Sequence, residues 1–102
     1  MPNDSTTPPD DDAVIAALRA ALIRLLPPED LAQIDLDALD VRTPLLSLPV
    51  DSAVLMALMT ELEDTFSVFI EEEAAFSFTD PGAVGDYIRH RIAERARRQG
   101  SR

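Results

Sequence analysis

The sequence contains no cysteine, no lysine and no tryptophan, and its three glycines stand at positions 82, 85 and 100. Without cysteine the chain has no disulfide, no thiol nucleophile and no thiolate metal site. The glycines are too scattered for a glycine-rich phosphate loop, which excludes nucleotide hydrolysis of that type. No apolar run approaches the roughly 20 residues that span a membrane, so we expect a cytoplasmic protein that contacts no membrane.

Positive charge is also scarce. Nineteen aspartates and glutamates outnumber nine arginines, which gives a net charge of −10 and a pI near 4.3. This is the wrong sign for a nucleic-acid binder that relies on phosphate contacts. With 102 residues, 46% of them apolar, the composition predicts one folded domain whose core is too small to enclose a large substrate.

The charge is unevenly distributed. Residues 1–88 carry 18 acids and three arginines, a sum of −15, whereas residues 89–102 carry six arginines and one glutamate, a sum of +5. The basic end has two interpretations. Cations near a helix C-terminus are favoured by its dipole, which is the interpretation we prefer, and the alternative is a patch that binds a partner or a phosphate.

Composition divides the chain into three segments. Residues 1–11 are rich in Pro, Ser, Thr, Asn and Asp, and they cannot bury enough apolar area to offset the entropy of ordering. We therefore predict a disordered acidic leader over residues 1–11, a folded domain over residues 12–98 and a flexible tail over residues 99–102.

Apolar residues recur at helical spacing in three stretches. These predict long helices over residues 13–26, over Ser52–Phe66 and over residues 81–97, and Glu71–Phe76 is consistent with a short helix. The last helix is capped by Asp80 or Thr79, with Pro81 in its first turn. Residues 27–50 predict a long loop with one short helical turn within residues 28–34. The predicted fold is all-α, a small four-helix bundle of three longer helices and one short helix.

Candidate catalytic and metal-binding groups are few. The single histidine, His90, stands between two arginines, which favours a surface position over a catalytic one. Three aspartates in the long loop lack the central glycine and the closing glutamate of a calcium loop. We expect a solvated acidic loop and no metal site from these residues: Asp35, Asp37 and Asp40.

The most specific feature is the dipeptide Asp51-Ser52 at the start of the second long helix. The orphan N–H groups and the positive dipole end of a helix favour an anion, so a phosphodiester on the Ser52 hydroxyl would be stabilised there. The plainer interpretation is that the two residues cap the helix, which Asp and Ser often do.

The surrounding order of elements favours the first of these interpretations. Over about residues 13–93 the chain resembles the acyl carrier proteins of fatty-acid and polyketide synthesis. Three segments carry the resemblance, in the order that the family shows: Thr43–Ser52, which is similar to the segment that leads into the modified serine, Leu62–Phe66 at the acidic end of the second long helix, and Val84–Asp86 in the last helix.

By this resemblance Ser52 receives 4′-phosphopantetheine from coenzyme A through a phosphopantetheinyl transferase, and Asp51 assists recognition. The terminal thiol would hold an acyl or aminoacyl group as a thioester, so that the cofactor supplies the sulfur that the chain lacks. The implied partners are an acyl-loading enzyme, either an acyltransferase or an adenylating ligase, and a ketosynthase or another thioester-using enzyme. The chain itself would be a monomeric carrier and not an enzyme.

The sequence departs from the family pattern close to the serine. Pro49 stands where the family usually has glycine, and Ala53 stands where it usually has leucine. The first acid of the second long helix is Glu61, whereas family members commonly expose acids earlier in this helix. These departures favour a discrete carrier of a polyketide or other secondary-metabolite pathway over one of general fatty-acid synthesis.

The same departures indicate how partners dock. With the helical stripe that starts at Leu55 assigned inward, Val54 and Ala57 are expected to face outward. We predict a partner-binding surface with an apolar centre and an acidic periphery, formed by Val54, Met56, Ala57, Glu61, Glu63 and Asp64. Packing of Val54 and Met56 beneath residues 44–50 is an equally open alternative. A second class of function also stays open: an unmodified helical interaction module in which Asp51-Ser52 is only a helix cap.

Overall fold

The structure, a computed structural model, describes residues 8–100. It contains five α-helices: α1 (Asp11–Leu25), α2 (Pro28–Leu31), α3 (Ser52–Phe66), α4 (Glu72–Ala75) and α5 (Pro81–Gly100). Two single turns of 3₁₀-helix, Leu36–Ala38 and Leu45–Ser47, lie in the loop between α2 and α3. Residues 1–7 of the predicted leader and residues 101–102 of the predicted tail lie outside this range.

The all-α architecture with three long helices is confirmed, and so is the short turn at the start of the long loop, which is α2. The described part of the chain has two short helices, α2 and α4, where the predicted bundle counted one. Pro28 supplies the helical φ at the first position of α2, and acids follow it in the first turn. The last helix runs three residues past the predicted end at Arg97 and includes Gln99 and Gly100 of the segment predicted as a tail.

Aspartates begin all three long helices. Asp10 is the N-cap of α1, where its side chain accepts a hydrogen bond from the Ala13 N–H at 2.8 Å. Helix α1 therefore begins at Asp11, two residues before residue 13, where the apolar spacing predicts its start. Asp80 accepts from the Ala83 N–H at 2.9 Å, which decides the predicted choice between Asp80 and Thr79 as the cap of α5.

The core lies where the three long helices meet. Helix α1 packs against both α3 and α5, and Leu22, Leu62 and Ile88, one from each helix, are completely buried. Full burial of a side chain of this size stabilises the fold by about 1.5–3 kcal/mol. Every buried side-chain nitrogen or oxygen of the described residues has a hydrogen-bond partner. The periodic apolar positions therefore form one continuous core.

Arg89 ties the start of α1 to α5. Its guanidinium contacts the Asp86 carboxylate at 2.7 Å, the Asp11 carboxylate at 3.1 Å and the Pro9 carbonyl at 3.2 Å. The hydrogen bond to Asp86, partly opposed by desolvation and reinforced by Asp11, raises the pKa of Arg89 above its ordinary value. These contacts hold the residues at the start of α1 against α5.

Backbone hydrogen bonds fasten the long loop to the start of α5. The Leu45 N–H donates to the Thr79 carbonyl, and the Gly82 N–H donates to the Val41 carbonyl, both at 3.0 Å. A Cβ atom at Gly82 would lie 3.1 Å from that carbonyl oxygen, so this close approach favours glycine. These bonds hold the residues that precede α3 against the rest of the bundle.

We expect Leu62→Ala to lower the free energy of unfolding by about 2–5 kcal/mol, because it opens a cavity where the three long helices meet. Ile23→Ala is the matched control, since Ile23 lies in α1 and is 51% exposed; we expect it to cost about 0.5 kcal/mol. Urea unfolding followed by circular dichroism measures both. Equal losses at the two positions would contradict the described packing of α3.

Candidate functional site

Ser52 is the first residue of α3, and its side chain is exposed. The residue before it, Asp51, is the N-cap, and its Oδ1 accepts a hydrogen bond from the Val54 N–H at 2.9 Å. The Ser52 hydroxyl makes no hydrogen bond or ion pair with any residue that the structure describes. The interpretation in which both residues cap the helix is therefore wrong for Ser52: Asp51 alone is the cap.

The start of α3 is suited to an anion. The first N–H groups of a helix have no acceptor within it, and the helix dipole places partial positive charge at this end. No acidic residue lies in the first turn of α3. A phosphodiester on the Ser52 oxygen would therefore lie at the positive end of the helix. The adjacent N-cap residue, Asp51, carries a carboxylate.

A cavity of about 340 Å³ opens beside Ser52. Apart from Asp51 and Ser52 its lining is apolar: Leu45, Leu46, Val50, Leu55, Phe76 and Phe78. Leu46 is 97% exposed and Phe76 is 52% exposed. The ring of Phe78 is held edge-on against Tyr87, with 5.5 Å between the ring centroids. The cavity has room for a small apolar group attached through the serine.

Sequence reasoning did not predict this cavity. Its walls come from the 3₁₀ turn before α3, from α3 itself and from the segment around α4, which are far apart along the chain. The hydrogen bond from Leu45 to Thr79 brings the first and last of these segments together. Phe76 ends the stretch predicted as a short helix and is the C-cap of α4, and its exposure is a tertiary property that no local pattern indicates.

The predicted docking residues occupy two different positions on α3. Successive residues rotate by about 100° around the axis, so Ala53, Ala57, Thr60 and Asp64 fall on the side opposite the buried Leu58, Met59 and Leu62. Of these four, Ala57 is half-buried and the other three are exposed. Val54 and Met56 lie on the flanks between these two sides, where they are half-buried and pack against the core. The expectation that Val54 faces outward is therefore corrected. The side of α3 that contacts the core is wide enough to include Val54 and Met56 at its edges.

Two of the three predicted acids have partners inside the domain. Glu61 Oε1 lies 3.7 Å from Arg24 Nη1 of α1. Glu63 Oε2 accepts a hydrogen bond from the Ile70 N–H at 2.7 Å and so holds the connection between α3 and α4. Asp64 is exposed and pairs with no described residue. Among these acids, Asp64 is the one whose charge is directed entirely to solvent.

The remaining candidate groups have local roles. The His90 side chain is exposed, with its Nε2 atom 3.2 Å from Glu94. In the acidic loop, Asp35 accepts from the Asp37 N–H, and Asp40 accepts from the Arg42 N–H and the Thr43 hydroxyl. Within residues 8–100 no group of three or more His, Asp or Glu side chains is placed to hold a metal ion. No helix of this part of the chain is long and apolar enough to cross a membrane.

Because Asp51 caps α3 and Ser52 does not, the alanine variants of the two residues should differ in stability. We expect Asp51→Ala to lower the free energy of unfolding by about 1 kcal/mol, because the Val54 N–H loses its acceptor. Ser52→Ala should change it by less than about 0.5 kcal/mol, because the hydroxyl has no partner to lose. Thermal and urea unfolding of both variants measure the difference. A larger loss from Ser52→Ala than from Asp51→Ala would contradict the assignment of the cap.

Comparison with known families identifies the domain. The family model described as "Phosphopantetheine attachment site" matches residues 17–88, more than two thirds of the chain. No curated protein and no solved structure matches the chain significantly. The match extends from the middle of α1 into α5, contains Asp51 and Ser52, and confirms both the resemblance to acyl carrier proteins and the predicted cofactor. The chain therefore belongs to the phosphopantetheine-binding carrier family, whose domains hold 4′-phosphopantetheine covalently.

Proposed function

We propose that the chain is a non-catalytic acyl carrier that holds its 4′-phosphopantetheine arm on the Oγ atom of Ser52. The observation that carries the proposal is the exposed, unbonded Ser52 hydroxyl at the positive end of α3, inside a chain of the phosphopantetheine-binding family. When attached, the group supplies a terminal thiol on which an acyl chain is held as a thioester. The protein's own contribution is to present the hydroxyl and to stabilise the phosphodiester charge.

Other serines differ from Ser52 in their hydrogen bonds. The Ser47 hydroxyl donates to the Pro44 carbonyl at 2.6 Å, and the Ser77 hydroxyl donates to the Ala74 carbonyl at 2.7 Å. Both hydroxyls satisfy their own turns, so modification would disrupt local structure. Ser47 is also exposed and lies five residues before Ser52, which makes it a close comparison for the attachment site.

Intact mass spectrometry tests the attachment directly. After incubation with coenzyme A, Mg²⁺ and a broad-specificity phosphopantetheinyl transferase, we expect the protein to gain the mass of one phosphopantetheine group. Ser52→Ala should abolish the gain because it removes the accepting oxygen, whereas Ser47→Ala should retain it. A full gain on Ser52→Ala would refute the attachment site, and no gain on any form would favour an unmodified interaction module.

The cavity beside Ser52 supports an acyl cargo over a polar one. Its walls are aliphatic and aromatic side chains, which favour the burial of CH₂ groups by about 0.8 kcal/mol each. The departures at Pro49 and Ala53 support a polyketide or other secondary-metabolite pathway. We propose that the carrier works as a cytoplasmic monomer between a loading acyltransferase or ligase and a ketosynthase or similar enzyme.

The outward side of α3 is the proposed docking surface. The transferase that attaches the arm must approach Ser52, and Ala53, Ala57, Thr60 and Asp64 form the side of α3 that starts beside Ser52 and lies opposite the buried residues of the helix. Small side chains allow close approach, and Asp64 adds a charge that steers basic partners. Val54, Met56, Glu61 and Glu63 flank this surface and contribute at its edges.

A charged substitution on this surface tests the docking proposal. We expect Ala57→Glu to lower the kcat/KM of the phosphopantetheinyl transferase about tenfold, because the added carboxylate must be desolvated in the complex. Ala20→Glu introduces the same change on an exposed position of α1 and should leave kcat/KM unchanged. Unfolding curves verify that both variants are folded. Equal rates for Ala57→Glu and the unmutated protein would contradict the proposed surface.

A further inference from the structure

Two exposed apolar side chains adjoin the proposed attachment site. Leu46 is 97% exposed and Phe76 is 52% exposed, and both line the cavity that opens beside Ser52. We call Leu46 and Phe76 the apolar rim. The other large apolar side chains that are exposed within residues 8–100, Ile23 and Phe69, do not line this cavity. The apolar rim therefore places hydrophobic surface next to the hydroxyl that would carry the arm.

The turn that carries Leu46 is held by the fold. Leu45 and Leu48 on either side of it are buried, and the Leu45 N–H donates to the Thr79 carbonyl at 3.0 Å. Within the turn, the Leu48 N–H donates to the Leu45 carbonyl at 3.2 Å. Because Leu45 and Leu48 take the inward positions, the Leu46 side chain is left in solvent. The core therefore gives no reason for a leucine at this position.

The apolar rim is a grouped surface. Single apolar residues scattered over a protein surface are ordinary, but Leu46 and Phe76 are distant in sequence and border the same cavity. Phe76 is the C-cap of α4, which packs against α3. Among the residues that line the cavity, Asp51 is the one that carries a charge. An apolar centre with few charges is typical of the buried part of a protein interface.

The enzyme that attaches the arm has to cover this region. It must bring its active site to the Oγ atom of Ser52, and a specific interface buries about 800 Å² of each partner, a disc of about 16 Å radius. The apolar rim borders the same cavity as Ser52 and so lies within such a disc centred on the serine. Leu55, which also lines the cavity, lies on the opposite side of α3 from Ala57 of the proposed docking surface. The two surfaces therefore approach Ser52 from two sides.

We propose that the apolar rim docks the phosphopantetheinyl transferase, with the Leu46 side chain inserted into an apolar pocket beside the active site of that enzyme. This docking rests on the proposed function, attachment of the arm at Ser52. Contacts on two sides of Ser52 fix the direction in which the start of α3 enters the active site. Neither side chain of the rim can exchange a proton, so Leu46 is a positioning residue. Its loss should weaken binding of the carrier and leave the transfer step unchanged.

Steady-state kinetics of the transferase with the full chain test this contact. We expect Leu46→Ala to raise the KM for the carrier about tenfold, because most of a leucine side chain is lost from the interface. The kcat and the KM for coenzyme A should stay within about twofold of their unmutated values. Leu46→Gln, which keeps the length of the side chain, should raise the KM as Leu46→Ala does. Leu46→Met should retain the unmutated KM, because methionine fills a similar apolar volume.

Phe69→Ala is the matched control. Phe69 is 61% exposed and follows the C-terminal end of α3, whereas Ser52 begins this helix, about 21 Å away along the axis. The variant removes more apolar surface than Leu46→Ala does, and its KM should stay within about twofold of the unmutated value. Urea unfolding verifies that each variant is folded, and we expect Leu46→Ala to unfold at the same urea concentration as the unmutated protein.

Several results would overturn the docking contact: an unmutated KM in both Leu46→Ala and Leu46→Gln, an equal rise in Phe69→Ala, or a fall in kcat alone. Analytical ultracentrifugation tests for a second copy as the occupant, and a dimer that Leu46→Ala dissociates would assign the apolar rim to self-association instead. A gain in thermal stability on attachment of the arm that Leu46→Ala abolishes would assign the rim to the arm.

The same assay distinguishes failure of the docking contact from failure of the attachment site. A full mass gain on Ser52→Ala would refute attachment at Ser52, whatever the Leu46 variants do. A gain that requires Ser52 but proceeds with unmutated kinetics in the Leu46 variants would overturn the docking contact alone.

Discussion

Burial of one side of α3 is the constraint on which the rest of the structure depends. Leu58 and Leu62 fix the rotation of this helix against α1. Once that rotation is set, Ala53 and Asp64 are exposed, and the residues between the buried and exposed sides, with Ala57, are half-buried. The same packing holds the N-terminus of α3 at the surface, where Asp51 caps it. The exposed position of Ser52 therefore follows from apolar packing at the other end of the helix.

Some charged side chains of this domain are bound by partners within it, and others are exposed to solvent. Asp11 and Asp86 hold Arg89, Glu61 pairs with Arg24, and Glu63 secures the connection to α4. Exposed pairs of this kind each stabilise a fold by no more than about 1 kcal/mol, so their main effect is to decide which charges stay available to partners. Asp64 is one such group: it is exposed on α3 and pairs with no other described residue.

Local patterns were sufficient for the long helices and insufficient for the site around Ser52. Helical spacing predicted α1, α3 and α5, since each buries one stripe, and Asp80 and Pro81 marked the start of α5. The capping role could not be divided between Asp51 and Ser52, because the two residues are equally good caps by type and only backbone geometry distinguishes them. The outward placement of Val54 was wrong, because the width of a buried stripe depends on how many neighbours a helix contacts.

The sequence by itself determined the helical class, the acidic charge with its basic end, and the resemblance that pointed to Ser52 and to phosphopantetheine. These properties depend on composition, on spacing and on motifs read along the chain. Only the tertiary structure decided which acids are bound within the domain, how far α5 extends beyond the core and that Leu46, Phe76 and Phe78 line a cavity beside Ser52. Each of these depends on contacts between residues distant in sequence, which local periodicity does not contain.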